Sequence, residues 1–139
     1  MKAIIYQTED GGCAVIHPAP GVALEKVLAA DVPPGVQRAI VNASDLPPDR
    51  YFRPAWKVRN GKVEIDVEGA KECQRNVWRK LRTPKLAALD IEVMKAMETG
   101  NAARRKELSA LKESLRDVTA TPLPDDLEGI RNAMPDVLK

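Results

Sequence analysis

The chain holds a single histidine, two cysteines, and only two tryptophans, two tyrosines and one phenylalanine among its 139 residues. Each scarcity closes a route. A catalytic imidazole needs a nucleophile or an orienting carboxylate within hydrogen-bond reach, and nothing beside His17, which precedes Pro18, supplies one; it reads as a partly exposed structural histidine. Cys13 and Cys73 lie far apart, with no CxxC and no histidine nearby, so they suit small buried thiols better than a zinc site or a redox pair. No glycine-rich phosphate loop is present, and no window approaches the ~20 consecutive apolar residues of a membrane span. The opening Met1-Lys2-Ala3-Ile4-Ile5-Tyr6 runs into a turn before a secretory apolar region forms. The net charge of +2 is the difference between 22 basic and 20 acidic residues, too small for a global pull toward nucleic acid or anionic lipid. These absences predict a protein without catalytic residues, metal or cofactor, working outside the membrane.

The hydrophobic fraction is an ordinary 44% against 4% aromatic, so the core must be mainly aliphatic. Residues 2–7 and 13–17 are rich in β-branched side chains, and Thr8-Glu9-Asp10-Gly11-Gly12 between them offers the positive φ angles of a hairpin turn. Both faces of the first strand are apolar, with Ile4 and Tyr6 on one and Ala3 and Ile5 on the other. Such a strand sits mid-sheet or under a helix. Val22, Leu24, Val27 and Leu28 suit a short helix ended by Pro33-Pro34-Gly35, and a third strand follows at 37–41. Trp56-Lys57-Val58-Arg59, Asn60-Gly61 and Lys62-Val63-Glu64-Ile65 form the best-specified element, a hairpin on a two-residue type I′ turn. Its register sets Val58 opposite Val63 and Trp56 opposite Ile65 on one face, with Lys57 opposite Glu64 on the other.

From Asp66, a natural N-cap, the period changes from two to about 3.6. Ala70, Cys73, Val77, Trp78 and Leu81 make one stripe of a helix to about Arg82, and Pro84 then suits the first turn of a new helix or a kink in a continuing one. Leu86, Leu89, Val93 and Met97 give the next stripe, Gly100 a left-handed stop, and Leu108, Leu111, Leu115 and Val118 the returning one. Two antiparallel helices joined at Thr99-Gly100-Asn101 bury these stripes together. The predicted class is α+β: over 1–66 a small antiparallel sheet of two hairpins plus one strand and a short helix, and over 67–139 a helical region with a hairpin around Gly100.

Lys71, Arg75, Arg79 and Arg82 share a helix face, with Lys80 and Lys85 beside them and only Glu72 acidic. That face is either solvated or a phosphate-binding surface. Missing aromatic stacking residues and motifs argue against nucleic acid. Asp125-Asp126, after two prolines, feeds a helix N-terminus better than it serves as an acid/base pair. Trp56 and Trp78 suit core anchors that need a partner for the indole N–H, and Trp78, beside its stripe, also suits an exposed anchor for a protein partner.

Arg75-Asn76, then Leu81, Leu86, Leu89-Asp90, Met94, Ala96 and Gly100, then Leu111, Leu115-Arg116-Asp117-Val118-Thr119 and Pro122, resemble in order the tail assembly chaperones and tail fibre assembly proteins of tailed bacteriophages. Val41-x-x-Ser44-Asp45-Leu46-Pro47 and Phe52-x-x-Ala55-Trp56 extend the likeness over most of residues 1–122. Each motif is short; their order carries the weight. Ala110-Leu111-Lys112 and Ala133-Met134-Pro135 stand where that family often has a tyrosine and a Trp-Pro segment. The resemblance implies a non-enzymatic chaperone that binds a phage tail or tail-fibre protein in the host bacterial cytoplasm, with the virion tail as a second location. Asn76, Asp90, Leu115, Arg116 and Asp117 carry over as partner-binding residues, joined by Leu111 and Trp78. Their structural alternative is that Asp117 caps the turn while Arg116 pairs with it or with Asp90. A virion tail or fibre adaptor, or a small regulatory protein binding nucleic acid through the basic face of residues 71–85, are the competing functions. The oligomeric state is open, a homo-oligomer included.

Overall fold

Asn60 and Gly61 both hold positive φ, 54° and 72°, the backbone of a type I′ turn whose twist matches the strands it joins. It fixes the hairpin of β4 (Trp56–Arg59) and β5 (Lys62–Ile65), paired Trp56 with Ile65, Lys57 with Glu64 and Val58 with Val63. The expected register therefore holds, but the charges on its outer face pair differently. Lys57 Nζ donates to the Gly11 carbonyl at 2.8 Å, and Glu64 lies 3.9 Å from Arg59.

The computed structural model describes residues 1–139, and the protein is α+β, with two compact units, Met1–Ala70 and Lys71–Lys139. In the first unit β1 (Lys2–Gln7) pairs antiparallel with β2 (Cys13–Ile16) and with β3 (Arg38–Asn42), in the order β2-β1-β3. The central position explains the two apolar faces of β1. On one face Ile5 packs with Cys13, Trp56 and Val58; on the other Ile4 packs with Val27 and Val32 of and just after α1 (Leu24–Asp31). Val22 lies outside that helix and is 45% exposed. The β1–β2 turn holds itself: the Asp10 carboxylate accepts from the Thr8 hydroxyl and the Gly12 N–H, which keep it below the usual carboxylate range.

Trp56 is buried under the Arg53 guanidinium, 4.6 Å from its ring, yet its indole N–H has no acceptor. The expectation of a partner for that N–H fails here: the ring packs among apolar side chains, Ile5, Cys13 and Val58. Cys13 is buried in the same cluster, and desolvation raises its thiol pKa, as befits an unreactive packing residue.

Helix α2 (Val67–Glu98) starts at Asp66, whose carboxylate accepts from the Gly69 N–H at 2.8 Å. Arg59 and that N–H hold the Asp66 carboxyl below its ordinary value. The helix runs through Pro84 without a break, so the second of the two expectations at this residue is the observed one as regards continuity. Proline removes the donor to the Lys80 carbonyl, while the preceding Thr83 hydroxyl binds back to the Arg79 carbonyl at 2.9 Å. Helices α3 (Ala102–Arg116) and α4 (Leu127–Asn132) complete the second unit. Asp126 caps α4 through the Gly129 N–H at 2.7 Å, the helix N-terminal role expected of this pair, and Asp125 binds Lys71.

Candidate functional site

The hairpin of α2 and α3 turns on Gly100, whose φ of +67° lets Asn101 N–H reach the Ala96 carbonyl at 2.9 Å and Gly100 N–H reach Met97 at 3.2 Å. This pair of hydrogen bonds closes α2 as a Schellman motif. The Asn101 side chain then caps α3 by accepting from Arg104 N–H at 3.0 Å. Farther from the tip two polar contacts clamp the helices. Lys112 of α3 pairs with Asp90 of α2, and Arg82 donates to the Arg116 carbonyl at 2.8 Å, a cation on the carbonyl end of α3.

Between these helices Trp78, Leu115, Val118 and Leu138 form the buried core, joined by Leu86, Leu89, Leu123, Ala133, Met134 and Val137. The stripe facing that core on α2 is shifted from the expected one. Ala70, Gln74 and Trp78 are buried, whereas Cys73 and Val77 are half-buried and Leu81 is 38% exposed. Gln74 earns its place because its amide donates to the Ala133 and Arg131 carbonyls at 3.0 and 3.4 Å, and Trp78 Nε1 joins it on Ala133 at 3.1 Å. An apolar residue at 74 has no donor for these carbonyls. At the tip Ala96, rather than Met97, is buried, and Met97 is 58% exposed.

A groove of about 310 Å³ opens beside this core, lined by Lys85, Ala88, Leu89 and Glu92 of α2, Leu111 and Leu115 of α3, and Val137. Leu115 is buried at its floor, and Leu111, expected inside the stripe, is 45% exposed at its edge. With Met94 (62%), Ile91 (56%) and Met97 the hairpin displays several large apolar side chains to solvent.

Of the seven residues singled out as partner-binding, the groove brings together Leu111 and Leu115. Trp78 shares the core with Leu115 but is wholly buried, which rules out an exposed anchor in this conformation. Asn76 is exposed and accepts from Arg79. Asp90 pairs with Lys112 and not with Arg116: residues equally distant from the Gly100–Asn101 turn meet across a hairpin, and Arg116 lies a turn too far along. Arg116 is exposed and contributes its carbonyl to Arg82, and Asp117 ends α3 through its own N–H, bonded to Glu113 and Leu115 carbonyls. Lys85, Ala88, Glu92 and Val137 complete the groove and were missing from the sequence-derived site. Counting equal steps from Gly100 sets Leu89 opposite Leu111 and Ala88 opposite Lys112, which points to this stretch of α2.

The basic face of α2 is largely satisfied within the chain. Glu72 accepts from Arg79 at 2.7 Å and from Arg75 at 3.4 Å, and Lys71 binds Asp125 at 2.7 Å. Arg79 and Lys71 hold the Glu72 and Asp125 carboxyls below their usual values. His17 is exposed at the end of β2, and no group of three or more His, Cys, Asp or Glu side chains is arranged to hold a metal ion. No helix is long and apolar enough to cross a membrane.

Compared with protein-family models, curated proteins and solved structures, the chain finds no match.

Proposed function

We propose that this protein is a phage tail or tail-fibre assembly chaperone, acting in the host bacterial cytoplasm and taking an apolar segment of its client into the α2–α3 groove. The observation that carries the reading is the groove itself, apolar in its floor and edged by the exposed Leu111. Polar-rimmed apolar surface of this kind marks a protein-binding site. The ordered motifs shared with the phage proteins, running through Asn76, Asp90, Leu115, Arg116 and Asp117, converge on the same hairpin. Fibre chains expose apolar stripes and unpaired strand edges before they assemble, and covering them requires an adaptable surface. Met94 and Met97, exposed elsewhere on the hairpin, add adaptable apolar surface, because methionine repacks against many shapes.

The test is co-expression with each tail or tail-fibre protein encoded beside this one. The expected result is a soluble client that co-purifies with the chain, and a loss of about tenfold in affinity for Leu111→Asp, a surface change that leaves folding intact by thermal melting. If no neighbouring tail protein binds or gains solubility, the proposal fails. Stoichiometric protein in purified particles indicates a tail or fibre adaptor instead of a transient chaperone.

A further inference from the structure

The first unit leaves two strand edges open. Gln7 N–H donates to the Gln37 carbonyl and Ala43 N–H to the Met1 carbonyl, both at 2.9 Å, at the two ends of the β1–β3 ladder. Bonding alternates along an antiparallel pair, so residues 37, 39, 41 and 43 turn their backbone groups to β1, while Arg38, Ile40 and Asn42 turn theirs outward. β3 pairs with no second strand. The bond from Asp66 N–H to the Ala55 carbonyl fixes β5 in the same way: residues 62 and 64 bond to β4, and Val63 and Ile65 face outward. Open edges are ordinarily blunted by proline, lysine or a bulge. β3 has no proline, no lysine and an unbroken register, and its Ile40 is 43% exposed. Beside β3 and β5 lies a slot of about 350 Å³, lined by Val41, Asp45, Leu46, Lys62 and Val63. Its three apolar side chains pack on the buried cluster around Trp56, which fixes the floor. Asp45 and Lys62 are exposed, and neither is ion-paired within the chain.

We infer that β3 takes an extended segment of another polypeptide as an added antiparallel strand, apolar where it faces the slot, with a basic residue toward Asp45 and an acidic one toward Lys62. The N–H and C=O of Ile40, flanked by the outward groups of Arg38 and Asn42, form a ladder that an extended backbone matches. Side chains opposite Ala39 and Val41 fall on the slot side, because facing residues of paired strands share a face. The charges set the direction. Asp45 lies beyond the end of β3, whereas Lys62 follows Gly61, at which a Cβ would stand 3.9 Å from that of Ala39. An antiparallel strand therefore meets Asp45 with its first residues and Lys62 with its last, basic before acidic. A second copy of β3 lacks this chemistry: its slot-side residues, Gln37, Ala39, Val41 and Ala43, carry no charge. The site belongs to the first unit alone, so the inference stands whether or not a tail protein binds the α2–α3 groove.

Titration of the isotope-labelled full chain with the capped peptide Lys-Thr-Val-Thr-Val-Thr-Glu, followed by NMR and amide exchange, tests it. The register sets its valines opposite Val41 and Ala39, its lysine on the Asp45 side and its glutamate on the Lys62 side. In the free chain the Ile40 and Asn42 amides are expected to exchange fast and those of Ala39 and Val41 slowly; at saturation the peptide slows the first pair about tenfold or more. Ile40→Pro removes the central outward donor without touching the β1 ladder and is expected to weaken binding about tenfold or more, with circular dichroism confirming the fold. The peptide with its end charges exchanged, Glu-Thr-Val-Thr-Val-Thr-Lys, is expected to bind about threefold more weakly, and Asp45→Lys/Lys62→Glu reverses that preference, which keeps the test decisive if Ile40→Pro unfolds the sheet. No added protection of Ile40 and Asn42 at millimolar peptide overturns the inference, as does binding that ignores Ile40→Pro in a folded protein or a preference unmoved by the double swap. Protection of both amides already in the free chain, with a dimer by sedimentation, overturns it too, since a second copy then holds the edge.

Discussion

Two side chains one turn apart on α2 share a single acceptor: Gln74 Nε2 and Trp78 Nε1 reach the Ala133 carbonyl at 3.0 and 3.1 Å. Gln74→Met keeps the volume and removes the amide. The Ala133 carbonyl retains Trp78 and the longer contact to the Arg131 carbonyl, at 3.4 Å, adds little, so the loss is that of one ordinary hydrogen bond, about 1 kcal/mol. Trp78→Phe removes the N–H and also leaves part of the indole volume empty in a fully buried site, for about 2–3 kcal/mol. In the double variant the carbonyl has neither donor, and a partly buried acceptor left unpaired costs more than the loss of one of two bonds. The double variant should therefore exceed the sum of the singles by about 1 kcal/mol. Urea unfolding followed by the helical circular dichroism measures all three, and in the two variants without Trp78 the remaining Trp56 reports on the sheet unit by fluorescence. Additivity within about 0.5 kcal/mol, or a Gln74→Met protein as stable as the parent, would show that water replaces these donors and would refute the reasoning.

Gly129→Ala should destabilise, against the usual gain of alanine over glycine in a helix, because a Cβ there comes within 2.7 Å of the Asp126 carboxylate that caps α4 and 2.8 Å of the Pro124 ring; a raised thermal midpoint would contradict this. Gly100→Ala should cost about 1–2 kcal/mol by chemical denaturation through the left-handed backbone alone, since a Cβ there meets nothing within 4 Å. Acid should destabilise the protein through Asp66 and Glu72, whose carboxyls are lowered from ordinary values of 3.8 and 4.5 by arginine partners. A depressed folded value means that the stabilisation is complete above those ordinary values and is lost as pH falls through the folded ones. Asp66→Asn should flatten the acid limb of stability against pH, and an unchanged limb would contradict the assignment.

The hairpin over residues 56–65 was legible down to its register, because a two-residue Asn-Gly turn leaves one way to pair the strands and the apolar residues then choose the face. The central place of β1 was legible for a similar reason, as only a strand covered on both sides is apolar on both. The α2–α3 hairpin followed from Gly100 and the capping Asn101. Three things were not readable. The inward direction of α2 beyond Trp78 is ambiguous because Leu86, Ala87, Ala88, Leu89, Ile91, Val93, Met94 and Met97 circle the helix, and the packing of α3 decides among them. Gln74 looks like a surface residue until the carbonyls of residues 131 and 133 arrive to need its amide. The clamp between Asp90 and Lys112 depends on hairpin register, which a single helical period does not encode. Much of the candidate site consists of such cross-helix neighbours, so the sequence supplied Leu111 and Leu115 but not the Lys85–Glu92 edge.

Hydrogen exchange on a co-purified complex with the neighbouring tail protein tests the central claim most directly. Binding in the groove predicts new protection in peptides covering residues 85–92, 111–115 and the C-terminal segment at Val137, with the β1–β3 sheet unchanged. Protection confined to residues 1–70, or none on the hairpin while the complex holds, would contradict it.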